Sequence, residues 1–214
     1  MVSRKQLVHF LSGLHSQASF PDRIKIKYRP WICPFDRLIT FAEDKKSVFD
    51  IGCGSGQFCA LIREFTNVEK IKGIEISSRL IENARELNNH HPDRTMIFEV
   101  FDGKSLPEDI RDYQLIYMID VLHHIPLKDH KVFFLELYSR MASGSEFVLK
   151  DIDGAHPFVV FNKLHDLIFS GEIGHELSCG RTMQLLRECG FEVKEQFNQR
   201  TLVYPHAFYI CRKP

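Results

Sequence analysis

The sequence predicts an α/β fold: a three-layer sandwich with helices on both faces of a mostly parallel, seven-stranded sheet that ends in an antiparallel strand. Three observations carry this prediction. From Ser47 onward, short β-branched or aromatic runs alternate with segments of helical period. The apolar run ending in Val48-Phe49-Asp50-Ile51 passes directly into the glycine-rich turn Gly52-Cys53-Gly54-Ser55-Gly56. Near the end of the chain, Phe191–Phe197 and His206–Arg212 alternate apolar and polar residues, as two paired strands closing a sheet do.

The elements follow in order. Ser47–Ile51 is a buried strand, and Gln57–Phe65 places Phe58, Leu61, Ile62 and Phe65 on one helical face. Lys72–Ile76 reads as the second strand. Ser77 or Ser78 caps the next helix, whose Leu80, Ile81, Ala84 and Leu87 share a face. Met96–Phe101 and Gln114–Ile119 are the third and fourth strands. Pro126–Met141 is a helix with Phe133, Phe134, Leu137 and Met141 inward, and Glu146–Asp151 is the fifth strand. The segment Gly154–Cys179 then interrupts the alternation with a helix around Phe158–Phe169. Thr182–Cys189 is helical and stops at Gly190. Ahead of the core, a helix near Lys5–Ser16 precedes the aromatic, proline-rich stretch Tyr28-Arg29-Pro30-Trp31-Ile32-Cys33-Pro34-Phe35. The expected organisation is a single domain with four parts: a helical and aromatic cap (1–46), a core (47–153), an insertion (154–181) and a closing helix with its strand pair (182–214).

At 214 residues such a domain buries roughly 70% of its unfolded surface and needs no staples. Lys plus Arg equals Asp plus Glu at 28 each, so no global basic excess points to nucleic acid. Arg23, Lys25, Lys27 and Arg29 are locally basic and read as a solvated face. The six cysteines lack metal or redox spacing, and no metal ligand set is expected. The N-terminal stretch lacks the pattern of a signal peptide, and no apolar run reaches the ~20 residues of a bilayer span. These features suit a reduced, cytoplasmic protein acting on a small molecule, with no nucleic acid and no membrane span. They leave the oligomeric state open.

The glycine turn supplies the chemistry. Glycines allow positive φ and close approach of a ligand, and the following helix start offers unpaired N–H groups. A dinucleotide fingerprint needs a third glycine at position 57, which is Gln57. The spacing is instead Gly-x-Gly-x-Gly, preceded two residues earlier by Asp50. This segment resembles motif I of the class I S-adenosylmethionine-dependent methyltransferases, a family with a Rossmann-like fold. Three further segments match in order, each at the carboxyl end of an expected strand, where ligands of doubly wound sheets bind. The resemblance assigns S-adenosyl-L-methionine to Asp50, Gly52, Cys53, Gly54 and Gly56, with Glu75 and Ile76 at the ribose. It assigns adenine to Phe101, Asp102 and Gly103, and places Asp120, which opens Asp120-Val121-Leu122-His123-His124-Ile125, beside the methyl group or the methionine end. A carboxylate such as Glu75 suits a vicinal diol because it accepts two hydrogen bonds.

Methyl transfer from a sulfonium needs alignment and, for some acceptors, a base. His123 and His124 are the candidate catalytic residues, with packing or capping of the following helix as the alternative. His123, the first polar position after the strand's apolar residues, is expected to face the cleft, and His124 to turn into the helix. Tyr28, Trp31 and Phe35 are candidates for a lid whose aromatic faces favour a sulfonium, or else for core packing; Tyr28 is counted with the cofactor residues. Within the insertion Phe158, Phe161, Leu164, Leu167, Ile168 and Phe169 form an apolar wall, with His156, His165, Asp166, Glu172 and His175 interspersed. It suits a hydrophobic or aromatic acceptor, or packs as a plain helix. The fourth strand does not run into Asn/Asp-Pro-Pro-aromatic, which disfavours amino methylation of adenine or glutamine, and Asp151 with Asp153 comes nearest to a magnesium site. Small-molecule O-, C- or N-methylation remains. The alternatives are a catalytically silent cofactor-binding subunit and a nicotinamide-dependent oxidoreductase.

Overall fold

A computed structural model describes residues 2–14, 18–89, 95–169 and 174–214. These residues form two compact units, 1–105 and 106–214.

In the first unit, Ser3 and Gln6 form a reciprocal capping box that opens helix α1 (Arg4–Gly13). This is the helix expected at Lys5–Ser16, and Ser16 lies outside the described residues. Helix α2 (Phe20–Ile32) begins at Ser19, whose hydroxyl accepts the Asp22 amide, and carries Pro30 in its last turn. Much of the aromatic, proline-rich stretch is therefore helical rather than irregular. A proline near the helix end removes only one donor, and the buried Ile26 and Pro30 hold that face against the protein. Helix α3 (Phe35–Thr40) leads to strand β1 (Ser47–Ile51), which is buried throughout. Helix α4 (Gln57–Phe65), strand β2 (Lys70–Glu75), helix α5 (Ser78–Asn88) and strand β3 (Thr95–Val100) complete the unit. Ser77 is the α5 cap, accepting the Leu80 amide. Strands β1, β2 and β3 are parallel neighbours, with Asp50 opposite Gly73 and Glu75 opposite Val100. Strand β2 starts two residues earlier than expected. Lys70 and Lys72 hide its apolar character in the sequence, and Lys72 is nevertheless buried because Glu99 on β3 pairs with it at 2.8 Å.

In the second unit, strand β4 (Leu115–Ile119) is followed by two single 3₁₀ turns, Leu122–His124 and Leu127–Asp129, before helix α6 (His130–Arg140) begins. The expected helix thus starts four residues late. Pro126 holds Ile125 extended, at φ −81 and ψ 134, and a helix cannot start through that residue. Strand β5 (Glu146–Ile152), helix α7 (Val159–Phe169), helix α8 (Cys179–Glu188) and strands β6 (Glu192–Thr201) and β7 (Tyr204–Arg212) follow. Gly190, at φ +96, ends α8. Strand β4 pairs parallel with β5, and β7 runs antiparallel to both β5 and β6. The β6–β7 hairpin is longer than the sequence suggested, because Asn198, Gln199 and Arg200 join it through backbone pairing. The seven strands belong to one sheet of order β3-β2-β1-β4-β5-β7-β6, with β7 the antiparallel strand.

Candidate functional site

In the first unit the glycine turn is built on the end of β2. The amides of Gly52 and Cys53 both donate to the Ile74 carbonyl, at 2.8 and 3.0 Å. Gly52, Gly54 and Gly56 all have positive φ, +77, +54 and +72, which a side chain would resist. Their surroundings differ. A Cβ on Gly56 would fall 2.8 Å from Ala84 and 2.9 Å from Asn88, so this glycine lets α4 and α5 pack closely. A Cβ on Gly54 would meet nothing within 4 Å. That open side, above a turn of upward-facing backbone, is where a ligand can lie.

Glu75 closes the turn. Its Oε2 accepts the Gly54 amide at 3.2 Å and its Oε1 accepts the Ser77 amide at 3.1 Å. Each carboxylate oxygen retains acceptor capacity, as recognition of two hydroxyls requires. The Phe101 amide donates to the Glu75 carbonyl at 2.9 Å, which brings the Phe101-Asp102-Gly103 loop beside it. Oδ1 of Asp102 accepts the amides of Lys104 (2.8 Å) and Ser105 (3.0 Å). These bonds hold its carboxyl below the usual carboxylate range. Ile76 is 68% exposed, and a Cβ on Gly103 would lie 3.9 Å from its Cγ2. An exposed aliphatic side chain and a bare loop thus face each other next to two carboxylates.

Two of the expected cofactor residues are turned inward. Cys53 is buried, and its Sγ lies 2.7 Å from where a Gly73 Cβ would sit, so only its backbone borders the turn. Asp50 is buried beneath the turn and accepts a 3.5 Å contact from the Cys59 thiol. Burial, reinforced by the Glu75 charge, raises its carboxyl to about 7. Tyr28 lies on α2, with the Lys27 ammonium 5.1 Å from its ring centroid. Phe35, the third lid candidate, is 2% exposed and stacks on Phe58 at 5.1 Å, so core packing is what it does.

In the second unit the chain leaves β4 through Asp120, which adopts φ +55, a costly conformation for a non-glycine residue. Its carboxylate pairs with Lys150 on β5 at 2.5 Å, and that lysine is fully buried. The next turn presents the histidines in the sense opposite to expectation. His123 is 2% exposed, whereas His124 faces solvent. The cause is Asp151 at the end of β5. Its Oδ1 lies 2.6 Å from His123 Nδ1 and its Oδ2 accepts the His123 amide at 3.1 Å, drawing the residue inward. The two imidazole rings lie 4.2 Å apart.

The insertion is tied to this histidine. The His175 amide donates to the His123 carbonyl at 2.7 Å, and a Cβ on Gly174 would meet His123 Cδ2 at 3.0 Å. Glu176, its side chain fully buried, pairs with Lys163 (2.9 Å) and accepts from Asn162 (3.0 Å), latching this segment to α7. On α7, Phe161, Leu164 and Leu167 are exposed. Glu172, and the side chains of His165, Asp166, Ile168 and Phe169, lie outside the described residues. The sequence missed Asp151 as the partner of His123 and Lys150 as that of Asp120. Asp151 was visible as an acid at a strand's carboxyl end, but was weighed only against a magnesium site, and no signal tied it to His123.

Known proteins resemble this chain in sequence and in fold. Residues 25–196 match the model of a methyltransferase-domain family. The 27-O-demethylrifamycin SV methyltransferase of Amycolatopsis mediterranei (strain S699) is 29% identical over 86 residues, 40% of this chain and 31% of that relative. The match thus spans under a third of that relative's length. The magnesium protoporphyrin IX methyltransferase of Synechocystis PCC 6803, solved with bound SAH, superposes with a TM-score of 0.69 at 16% identity, over 98% of this chain and 94% of that one. A chain from the complex between the Haloferax volcanii Trm112 methyltransferase activator and a methyltransferase superposes with a TM-score of 0.73 at 15% identity, covering 100% and 98%. At such identities the structures establish the fold, and the family model establishes the rest: the chain belongs to the class I S-adenosylmethionine-dependent methyltransferases.

Proposed function

We propose that this protein transfers a methyl group from S-adenosylmethionine to a hydroxyl or similarly acidic atom of a small, apolar or aromatic molecule, with His123 as general base. The observation that carries the reading is the His123–Asp151 pair. An imidazole held at Nδ1 by a carboxylate has its tautomer set, keeps Nε2 as the nitrogen that takes a proton, and has its protonated form stabilised by the adjacent charge. Acidic oxygens gain most from such a base. The cited relative is named for 27-O-demethylrifamycin SV, a compound lacking a methyl on oxygen, which favours oxygen over carbon or nitrogen.

The residues of the first unit fit the cofactor. Gly54 leaves an open backbone surface, Glu75 offers acceptor pairs for the ribose hydroxyls, and Asp102 uses Oδ1 for its own loop while Oδ2 suits an exocyclic amine. Ile76 and Gly103, adjacent to each other, offer one apolar face to a flat heterocycle, and Phe101 steadies their loop. Cys53 contributes backbone only. When bound, S-adenosylmethionine supplies an already activated methyl group, so the protein's own task is alignment and proton removal. Asp120, neutralised by Lys150, stiffens the exit from β4. His124, exposed beside His123, is placed to contact the acceptor. The insertion, latched to His123 through residues 174–176, supplies apolar surface for it. Tyr28 is left out of this reading, because its ring already holds one cation, the Lys27 ammonium, which repels a sulfonium nearby.

Calorimetric titration with S-adenosylhomocysteine and NAD tests the cofactor: the first should bind and the second should not. A screen of phenolic and other small acceptors with isotopically labelled cofactor, read by mass spectrometry, tests the acceptor. Labelling only of amines or carbon acids would overturn the oxygen assignment.

A further inference from the structure

Helix α2 carries a surface with no part in the methyl transfer proposed above. Its inner side is anchored by Asp22, Ile26 and Pro30, all buried. Its outer side shows Phe20, Ile24, Tyr28 and Trp31, exposed by 73, 44, 46 and 39%. At 3.6 residues per turn these four fall within roughly 80° of arc, nearly opposite the buried face. Cations border the stripe on both sides: Arg23 and Lys27 along one edge, Lys25 and Arg29 along the other. Asp22, the only acid in the helix, points inward and pairs with Arg79. Beside the stripe a groove of about 380 Å³ opens between Leu11 and Leu14 on one wall and Phe20 and Ile24 on the other, with Arg23 and Lys27 among its lining.

We propose that α2 is an interfacial helix that seats this protein on an anionic lipid bilayer, with the Phe20–Ile24–Tyr28–Trp31 stripe in the acyl boundary and the flanking cations at the headgroups. The charge pattern selects this occupant. An aromatic and aliphatic stripe sunk into the interface places both cation rows at phosphate depth, where long side chains snorkel. The four cations concentrate on one helix of a chain with no net charge, so attraction to an anionic surface also orients the molecule. Thirteen residues cannot cross a bilayer, and no helix among the described residues is long and apolar enough to do so. The helix lies on the membrane rather than in it. The groove beside it is suited to hold one lipid tail whose phosphate meets Arg23 and Lys27. This inference is independent of the catalytic reading.

Trp31, the chain's single tryptophan, reports on the stripe directly. The full chain is mixed with phosphatidylcholine vesicles that contain, or lack, a third of phosphatidylglycerol, and emission and co-sedimentation are recorded. With anionic vesicles the emission should shift to shorter wavelength and the protein should sediment; with phosphatidylcholine alone, or at high salt, both effects should fall. Each cation near the surface contributes about a fivefold factor in partition, so the Arg23→Gln/Lys27→Gln variant should bind roughly 25-fold more weakly. Phe20→Ser/Ile24→Ser should lose the emission shift, and because both positions are exposed its melting curve should match the parent's. Three results would overturn the proposal: no sedimentation on either vesicle, equal sedimentation on both at high salt, or a Trp31 shift produced without vesicles by self-association or by S-adenosylhomocysteine.

Discussion

Asp151→Asn separates a base-positioning carboxylate from a merely packed one. Three bonds converge on Asp151: His123 Nδ1 (2.6 Å) and the Ile152 amide (2.7 Å) on Oδ1, and the His123 amide (3.1 Å) on Oδ2. Asparagine has the same shape but one acceptor oxygen. Placed at Oδ1, that oxygen keeps two bonds and turns an NH₂ donor toward the His123 amide donor; reversed, it loses two. The better arrangement leaves one buried donor unpaired, a cost of about 1–3 kcal/mol. For a chain of this length that is a fall in melting temperature of roughly 2–12 °C. The catalytic cost is larger, because the counter-charge for a protonated His123 disappears. Turnover on the acceptor found by the labelled screen should drop about 10²–10⁴-fold while KM changes little, and the ascending limb of the pH–rate profile should flatten. Calorimetry with S-adenosylhomocysteine should show unchanged affinity, since Asp151 makes none of the bonds that hold the glycine turn, Glu75 or Asp102. The reasoning fails if turnover and its pH profile survive while stability falls as calculated. The pair would then be structural, and alignment alone would drive the transfer.

Other consequences follow from the same geometry. Glu75→Ala should weaken S-adenosylhomocysteine binding by about 1.5–3 kcal/mol in calorimetry, with Glu75→Gln losing less, because one oxygen can still accept the Gly54 or Ser77 amide. Burial lifts Asp50 from 3.8 to about 7, so between those values the folded chain holds a proton that the unfolded chain has released. Stability from this group is therefore complete below pH ~4 and is lost as pH rises to ~7, by at most about 4 kcal/mol. Denaturant melts across that range should show the slope in the parent and lack it in Asp50→Asn. Lys150→Met should cost about 3–5 kcal/mol by stranding the Asp120 carboxylate, and adding Asp120→Asn should recover part of it.

How far the sequence reaches is clearest where its signals are local. Strand β1 and its turn were legible because five buried residues run into three glycines, each of which adopts the positive φ that only glycine takes cheaply. The caps at Ser77 and Gly190 were legible for the same reason: a single residue satisfies or releases a neighbouring backbone. The order of motifs at strand ends then placed Glu75 and Asp102 by one loop, as found. Charged strand positions misled. Lys72 and Lys150 look solvated in sequence, yet each is buried because a carboxylate on a neighbouring segment neutralises it.

The sequence by itself therefore determined the α/β class, the glycine-rich turn and which residues stand at the strand ends. Only the tertiary structure decided which histidine turns inward, because Asp151, the residue that turns it, lies 28 positions away in the chain. It also decided that the aromatic stretch before the core is a helix anchored on one side, with Tyr28 and Trp31 left outside and Phe35 buried within. Periodicity states which residues can share a face. Which face is covered depends on what the rest of the chain brings against it, and a local pattern does not contain that information.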